Sequence, residues 1–426
     1  MILRELTGRE ILDSRGRPTV EASCVTETGA HATVSVPSGR STGSSEAYEL
    51  RDGDPRRYSG LGCLRAAGNI TGEISKALTG IGIDSQGELD DRLIKLDGTP
   101  NKSRLGANAL LAVSLVWARA HAEEEGLPLY GSFGSLIGSA DVPELPRLTI
   151  NLFSGGKHAG KQVAIQDVLI VPLSPQSVDG SLVMMYDVYR KASEIIFDRF
   201  GMRLLTADEG GLAPPFERTE AMLETAVEAI EAAGYRSGVD AALAVDVAST
   251  HFFEDGRYHI DGSALTPSEM IDTVEEWVDS FPLLSVEDAL SENDWDNWPR
   301  LRQRIGGRVL VLGDDLLCTN PGLIARAVGS GCCNALLLKV NQVGTLTEAA
   351  RALELARDAR WQVTVSVRSG ETEDSWAADL AVGWRGDQFK NGSITQSERL
   401  AKYNRLLKIE METGRAVRPW RGPAAL

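Results

Sequence analysis

Along the second half of the chain, apolar residues fall into short unbroken runs, and each run stops at a charge. Ala242-Leu243-Ala244-Val245 ends at Asp246, Leu284-Ser285-Val286 at Glu287, Val309-Leu310-Val311-Leu312-Gly313 at Asp314, and Ala335-Leu336-Leu337-Leu338 at Lys339. A fifth stretch, Val363-Thr364-Val365-Ser366-Val367, has hydroxyl residues between its valines and ends at Arg368. Apolar runs without alternation read as strands covered on both faces, the pattern of a parallel sheet. The terminal charges are spaced roughly 25 to 40 residues apart, the length of one strand plus a crossover helix. Helix starts fall between the runs: Thr266-Pro267-Ser268-Glu269 and Thr345-Leu346-Thr347-Glu348 have the capping-box pattern, and Asn320-Pro321 puts an N-cap before a first-turn proline. Together these signals predict a parallel β/α barrel whose strands each deliver a charged residue at the C-terminal end.

The first third has a different texture. Residues 19–36 alternate polar and apolar side chains around Thr28-Gly29, which predicts a hairpin. Helical patterns follow over 60–80, 84–96 and 106–125, giving an α+β domain over residues 1–130. A Pro- and Gly-punctuated stretch predicts a connection over 131–146, and the barrel is expected over 147–426 with a closing helix at 397–412.

A chain of 426 residues has room for two such domains. Its net charge of −16 argues against non-specific binding to nucleic acid or an anionic membrane. No apolar run approaches a membrane span and Met1-Ile2-Leu3-Arg4-Glu5-Leu6 lacks the order of a signal peptide, so a cytoplasmic protein is expected. Five cysteines without metal-type spacing read as buried reduced thiols.

The chemistry concentrates at the strand ends. Asp246, Glu287 and Asp314 are three carboxylates that a divalent cation would hold together, and oxygen-only ligands favour magnesium over zinc. Lys339 follows them; cations beside a lysine favour its neutral form, in which it can remove a weakly acidic proton next to a carboxylate. Thr206-Ala207-Asp208-Glu209-Gly210-Gly211 places acids on a turn suited to donating a proton from the other side, with a plain turn as the alternative. Arg368-Ser369 is an anion clamp fit for phosphate, and Lys390 is placed to hold a second anion, with structural ion pairs as the competing reading for each. The segment Pro37-Ser38-Gly39-Arg40-Ser41-Thr42-Gly43-Ser44-Ser45 suits either a mobile loop closing over an oxyanion or an ordinary surface loop.

Several segments, taken in order, resemble the enolase (phosphopyruvate hydratase) family over nearly the whole chain. They are Arg9-Glu10-Ile11-Leu12-Asp13-Ser14-Arg15-Gly16 with Pro18-Thr19-Val20-Glu21, Asn101-Lys102-Ser103, the turn Asp208 to Gly211, Gly313-Asp314-Asp315-Leu316, Lys339-Val340-Asn341-Gln342, and Ser369 to Asp374. The resemblance implies an α+β cap and a variant TIM barrel that begins with an irregular ββαα unit. It implies magnesium, two ions per site, with Asp246, Glu287 and Asp314 on the first and Ser41 by the second. It also implies Lys339 as base, Glu209 as acid, Arg368 and Ser369 at the phosphate, Lys390 at the substrate carboxylate, and Gln166 and His158 beside the substrate. A homodimer or larger homo-oligomer is implied as well.

The departures from the family pattern cluster. Asp167 stands among the catalytic groups where enolases usually carry glutamate, Val367 where a histidine precedes the arginine, Arg40 where the loop has a small residue, and Ser154 in place of an asparagine. The expected reaction is magnesium-dependent dehydration, by α-proton abstraction, of 2-phosphoglycerate or of a phosphate-modified analogue. Val367 opens space and Arg40 adds a cation, which suits a carboxyphosphono analogue on a route to phosphinate natural products, as in carboxyphosphonoenolpyruvate synthase. Glycolysis by an ordinary enolase with an altered site, or a non-catalytic binding protein with an enolase body, are the alternatives.

Overall fold

The computed structural model describes residues 1–40, 43–139, 141–201 and 205–423. An antiparallel sheet of three strands opens the chain: β1 (Leu3–Leu12), β2 (Pro18–Thr26) and β3 (His31–Ser35), in that order. The expected hairpin is β2–β3, whose turn contains Gly29 at φ +95°. Only glycine takes that conformation without strain. The helical pattern over 60–80 breaks into Leu64–Asn69, a wide turn Ile70–Ile74, and Ser75–Leu78. Helix Gln86–Asp97 starts where the Ser85 side chain accepts from the Glu88 amide and stops at left-handed Gly98. Helix Ala107–Glu124 is buried on nearly all sides because it packs between this sheet and the barrel segment that follows Lys339.

The stretch expected as a connection contains a helix, Leu129–Leu136, which docks on helix Trp376–Gly383. Two glycines allow that contact, since a Cβ on Gly134 would strike the Ser139 carbonyl and one on Gly383 the Tyr130 carbonyl.

Eight strands close the barrel: β4 (Arg147–Ser154), β5 (Asp167–Pro172), β6 (Ala241–Asp246), β10 (Leu283–Glu287), β11 (Leu310–Gly313), β12 (Ala335–Leu338), β13 (Gln362–Ser366) and β14 (Gln388–Lys390). β5 runs antiparallel to both β4 and β6, and the other pairs are parallel. Helices Val178–Phe200 and Thr219–Ala232 follow β5, so the barrel begins with the irregular ββαα order. A small antiparallel sheet is inserted between β6 and β10, made of β7 (Phe253–Glu254), β8 (Arg257–Ile260) and β9 (Ser263–Leu265).

Strands β4, β5, β6, β11, β12 and β14 are buried along their whole length, which accounts for the unbroken apolar runs of β6, β11 and β12. Thr266 and Glu269 form the reciprocal capping box of helix Pro267–Ser280, and Asn320 caps helix Pro321–Ser330. The closing helix spans Ser397–Thr413. No helix among the described residues is long and apolar enough to cross a membrane.

Candidate active site

Strand register gathers the charges. Asp246 pairs with Glu287 across β6–β10 and with Asp167 across β5–β6, while Ser366 pairs with Lys390 across β13–β14. Asp246, Glu287, Ser366 and Lys390 end their strands, and Asp167 begins the antiparallel β5, so all lie at the same C-terminal mouth of the barrel.

On one wall, Lys390 Nζ lies 2.9 Å from Asp246 Oδ2 and 2.7 Å from Glu287 Oε2. Lys339 Nζ lies 2.5 Å from Asp314 Oδ2, and Gln342 donates to Asp314 Oδ1 at 2.8 Å. Gln166 donates to Asp246 Oδ2 at 3.0 Å. Burial opposes charge on Asp246, but Lys390 outweighs it and holds the carboxylate down at about 2. Burial and then Asp246 push Glu287 well above the usual carboxylate range. Burial likewise disfavours charge on Lys339, yet Asp314 reverses the balance and the ammonium sits above its ordinary value. The neighbouring cations Arg368 and Lys390 do act to lower it, as expected from the sequence, but Asp314 is closer and wins.

The three expected ligands fit a hard divalent cation on two grounds. Their donor set is entirely carboxylate oxygen, and Glu287 Oε1 is a buried acceptor without a hydrogen-bond partner. Where the donors already have partners, these are the two ammoniums and the amides of Gln166 and Gln342. Lys390, expected at the substrate carboxylate, is therefore engaged with the Asp246–Glu287 pair. Ser41 lies outside the described residues.

The opposite wall is built differently. His158 Nδ1 lies 2.9 Å from Asp167 Oδ2, its Nε2 lies 3.9 Å from Glu209 Oε1, and Asn151 donates to Glu209 Oε2 at 3.1 Å. Ser154 Oγ donates to Asp167 Oδ1 at 2.5 Å, which links these two side chains directly. Burial raises the Asp167 carboxyl. Burial acts the same way on Glu209, but His158, Arg399 and Lys390 outweigh it and leave Glu209 below the usual range. Burial opposes charge on His158, and Asp167 and Glu209 override it to raise the imidazole. The two carboxyls are thus pushed apart, the mark of groups assigned different proton-transfer roles.

Arg368 is 3% exposed and pairs with Glu46 at 3.0 Å while donating to Asn341 at 3.0 Å. Ser369 Oγ accepts from Arg15 at 3.0 Å, and Arg15 also donates to the Ser38 carbonyl at 2.9 Å. Ser38 and Gly370 exchange backbone hydrogen bonds, which ties the loop at Pro37 to the anion clamp. A Cβ on Gly39 would run into the Arg368 guanidinium. Arg40 was expected to add a cation beside the phosphate, but it pairs with Asp208 at 2.8 Å. Its charge is matched by the turn that carries Glu209. Val367 is buried in the main apolar core.

Sequence reasoning passed over Glu46, Arg15, Asn151 and Asp288. Asp288 has φ +43° and accepts from the Asp314 and Asp315 amides at 3.0 and 2.7 Å, fixing the loop that presents Asp314. The only local signals were an acid next to the Ser-rich loop, an arginine inside a quoted motif, and the doubled acid Glu287-Asp288.

Family models match both parts of the chain. Enolase, N-terminal domain, matches residues 3–133, and Enolase, C-terminal TIM barrel domain, matches residues 143–423.

Proposed function

The chain belongs to the enolase family, and from that membership, which supports a divalent-metal-dependent hydro-lyase, we propose that it dehydrates a 3-hydroxy acid carrying an anionic phosphorus group on C2. The observation that carries this reading is the half-buried Lys339 paired with Asp314 beside the buried Asp246 and Glu287, with the His158–Asp167–Glu209 cluster at the same barrel mouth. A divalent cation, with magnesium favoured by the oxygen donors, would be held by Asp246, Glu287 and Asp314 and would supply positive charge beside the substrate carboxylate.

Lys339 is held charged by Asp314; with Asp314 drawn to a divalent cation the ammonium would give up its proton more readily, and in the neutral form Lys339 removes the proton on C2. Glu209 protonates the departing 3-hydroxyl and draws its own proton from His158, whose Nε2 is 3.9 Å away. Asp167 holds the other ring nitrogen and sets the tautomer. Arg368 and Ser369 take the phosphorus oxygens, with Arg15 orienting Ser369. A homodimer accompanies this reading, and its test is light scattering in solution.

A second reading, a substrate with a larger carboxyphosphono group, rests on the mutually bonded Ser154 and Asp167, while Val367 is packed in the apolar core. Arg40 no longer argues for it, because Asp208 matches its charge. Both substrates, assayed with magnesium, separate the readings. Turnover of 2-phosphoglycerate alone supports the ordinary reaction and turnover of the analogue alone the specialised one. Absence of α-proton exchange with either, with metal shown to be bound, overturns both in favour of a binding protein.

A further inference from the structure

The face of the barrel opposite the active site carries a concentration of positive charge. Arg147 opens β4, Gln362 opens β13 and Asp387 immediately precedes β14, so the cavity they line lies at the N-terminal ends of the strands. Its volume is about 290 Å³. Five arginines (Arg147, Arg357, Arg360, Arg418 and Arg421) and one acid, Asp387, line it, in a chain of net charge −16.

Internal pairing leaves much of that charge uncompensated. Arg357 and Arg418 share Asp387, and Arg418 and Arg421 reach Glu144 at 3.1 and 3.4 Å. Arg147 is 3% exposed and pairs with no carboxylate among the described residues. Its guanidinium donates to the carbonyls of Pro172, Leu173 and Arg418, and its Nε has no partner. Burial alone pushes this arginine down to about 10. A buried cation without a counter-charge is costly, and an anion in the adjoining cavity relieves it. Arg360 makes no ion pair among the described residues and stands exposed beside the cavity. Two indoles complete the lining: Trp361, and Trp420, which packs on Leu310, Leu312, Ala335 and Leu337 inside the barrel.

We propose that this cavity binds a small polyanion of the oligophosphate class, with the arginines receiving the phosphate oxygens and the two indoles flanking them. Bracing of the C-terminal segment accounts for Arg357 and Arg418 and for the bond from Arg147 to the Arg418 carbonyl, but not for the missing counter-charge of Arg147 or for Arg360.

The test is calorimetric titration of the full-length protein with pyrophosphate and, separately, with ATP. The Arg360→Ala/Arg421→Ala double variant and the active-site variant Arg368→Ala are titrated alongside. Expected is saturable 1:1 binding of at least one probe with Kd on the order of 1 mM or tighter. It should weaken about tenfold or more in the double variant and persist in Arg368→Ala. Binding of both probes assigns the site to the phosphates, and binding of ATP alone adds the nucleoside, stacked on an indole. No binding of either probe, equal binding by the double variant, or loss of binding in Arg368→Ala overturns the proposal.

Discussion

The two walls of the barrel mouth are both largely withdrawn from solvent, yet they handle charge in opposite ways. On the Lys339 wall each carboxylate meets an ammonium: Asp314 meets Lys339, while Asp246 and Glu287 share Lys390. On the His158 wall two carboxyls flank one imidazole, and Asp167 is further bonded to a hydroxyl. The first arrangement fixes charge in place for a cation and an anionic substrate. The second shares protons among groups whose affinities are set apart by burial and neighbours.

The largest expected effect strips the first wall of its base. Lys339→Ala should lower α-proton exchange by roughly 10²- to 10⁴-fold while circular dichroism and the melting profile show a folded barrel. Substantial exchange in this variant would move the base to the other wall. Metal removal by a chelator should abolish turnover and magnesium should restore it, with calorimetry showing that Glu287→Gln weakens metal binding. If turnover survives chelation, the carboxylate triad is an ion-pair network only.

A smaller effect sharpens the second wall. Asp167→Glu and Ser154→Asn each break the 2.5 Å hydroxyl–carboxylate bond, so their effects on kcat/KM should be non-additive, with a coupling of about 0.5–3 kcal/mol. Additive effects would mean that the two departures are independent.

Much of this layout was legible in the sequence because parallel strands buried on both faces leave an unbroken apolar signature with a charge at the end, as at Leu338–Lys339. The enolase motifs added the irregular start of the barrel. What pairs with what was not legible, since Lys390 reaches Asp246 and Glu287 across 144 and 103 residues and the contact exists only through barrel closure. The helix Leu129–Leu136 was hidden by its Gly- and Ser-rich composition, which reads as a loop but here permits close helix packing. Arg40 was misplaced for the same reason as the lysines: its partner Asp208 is 168 residues away.

Two weaker tests remain. Burial, and then Lys157, lower His251 to about 4, so its folded form binds fewer protons than the unfolded chain between that value and the ordinary one near 6.5. Its contribution to stability is fully present above about pH 6.5 and is lost as pH falls through about 4. The melting temperature of His251→Gln should therefore fall less steeply than that of the parent over this window, and an identical fall would show that His251 is not the group titrating. Arg40→Ala removes a partly exposed pair with Asp208 and should change stability by no more than about 1 kcal/mol. A larger loss would make that pair a structural clasp between the loop and the acid turn.

Solvent-deuterium exchange at C2, followed by NMR with magnesium and each substrate in turn, examines the role of Lys339 most directly. Exchange is expected in the parent protein with at least one substrate and should be absent in Lys339→Ala. Exchange that persists in the variant, or that is absent from the metal-loaded parent with both substrates, would contradict the assignment of Lys339 as the proton-abstracting base.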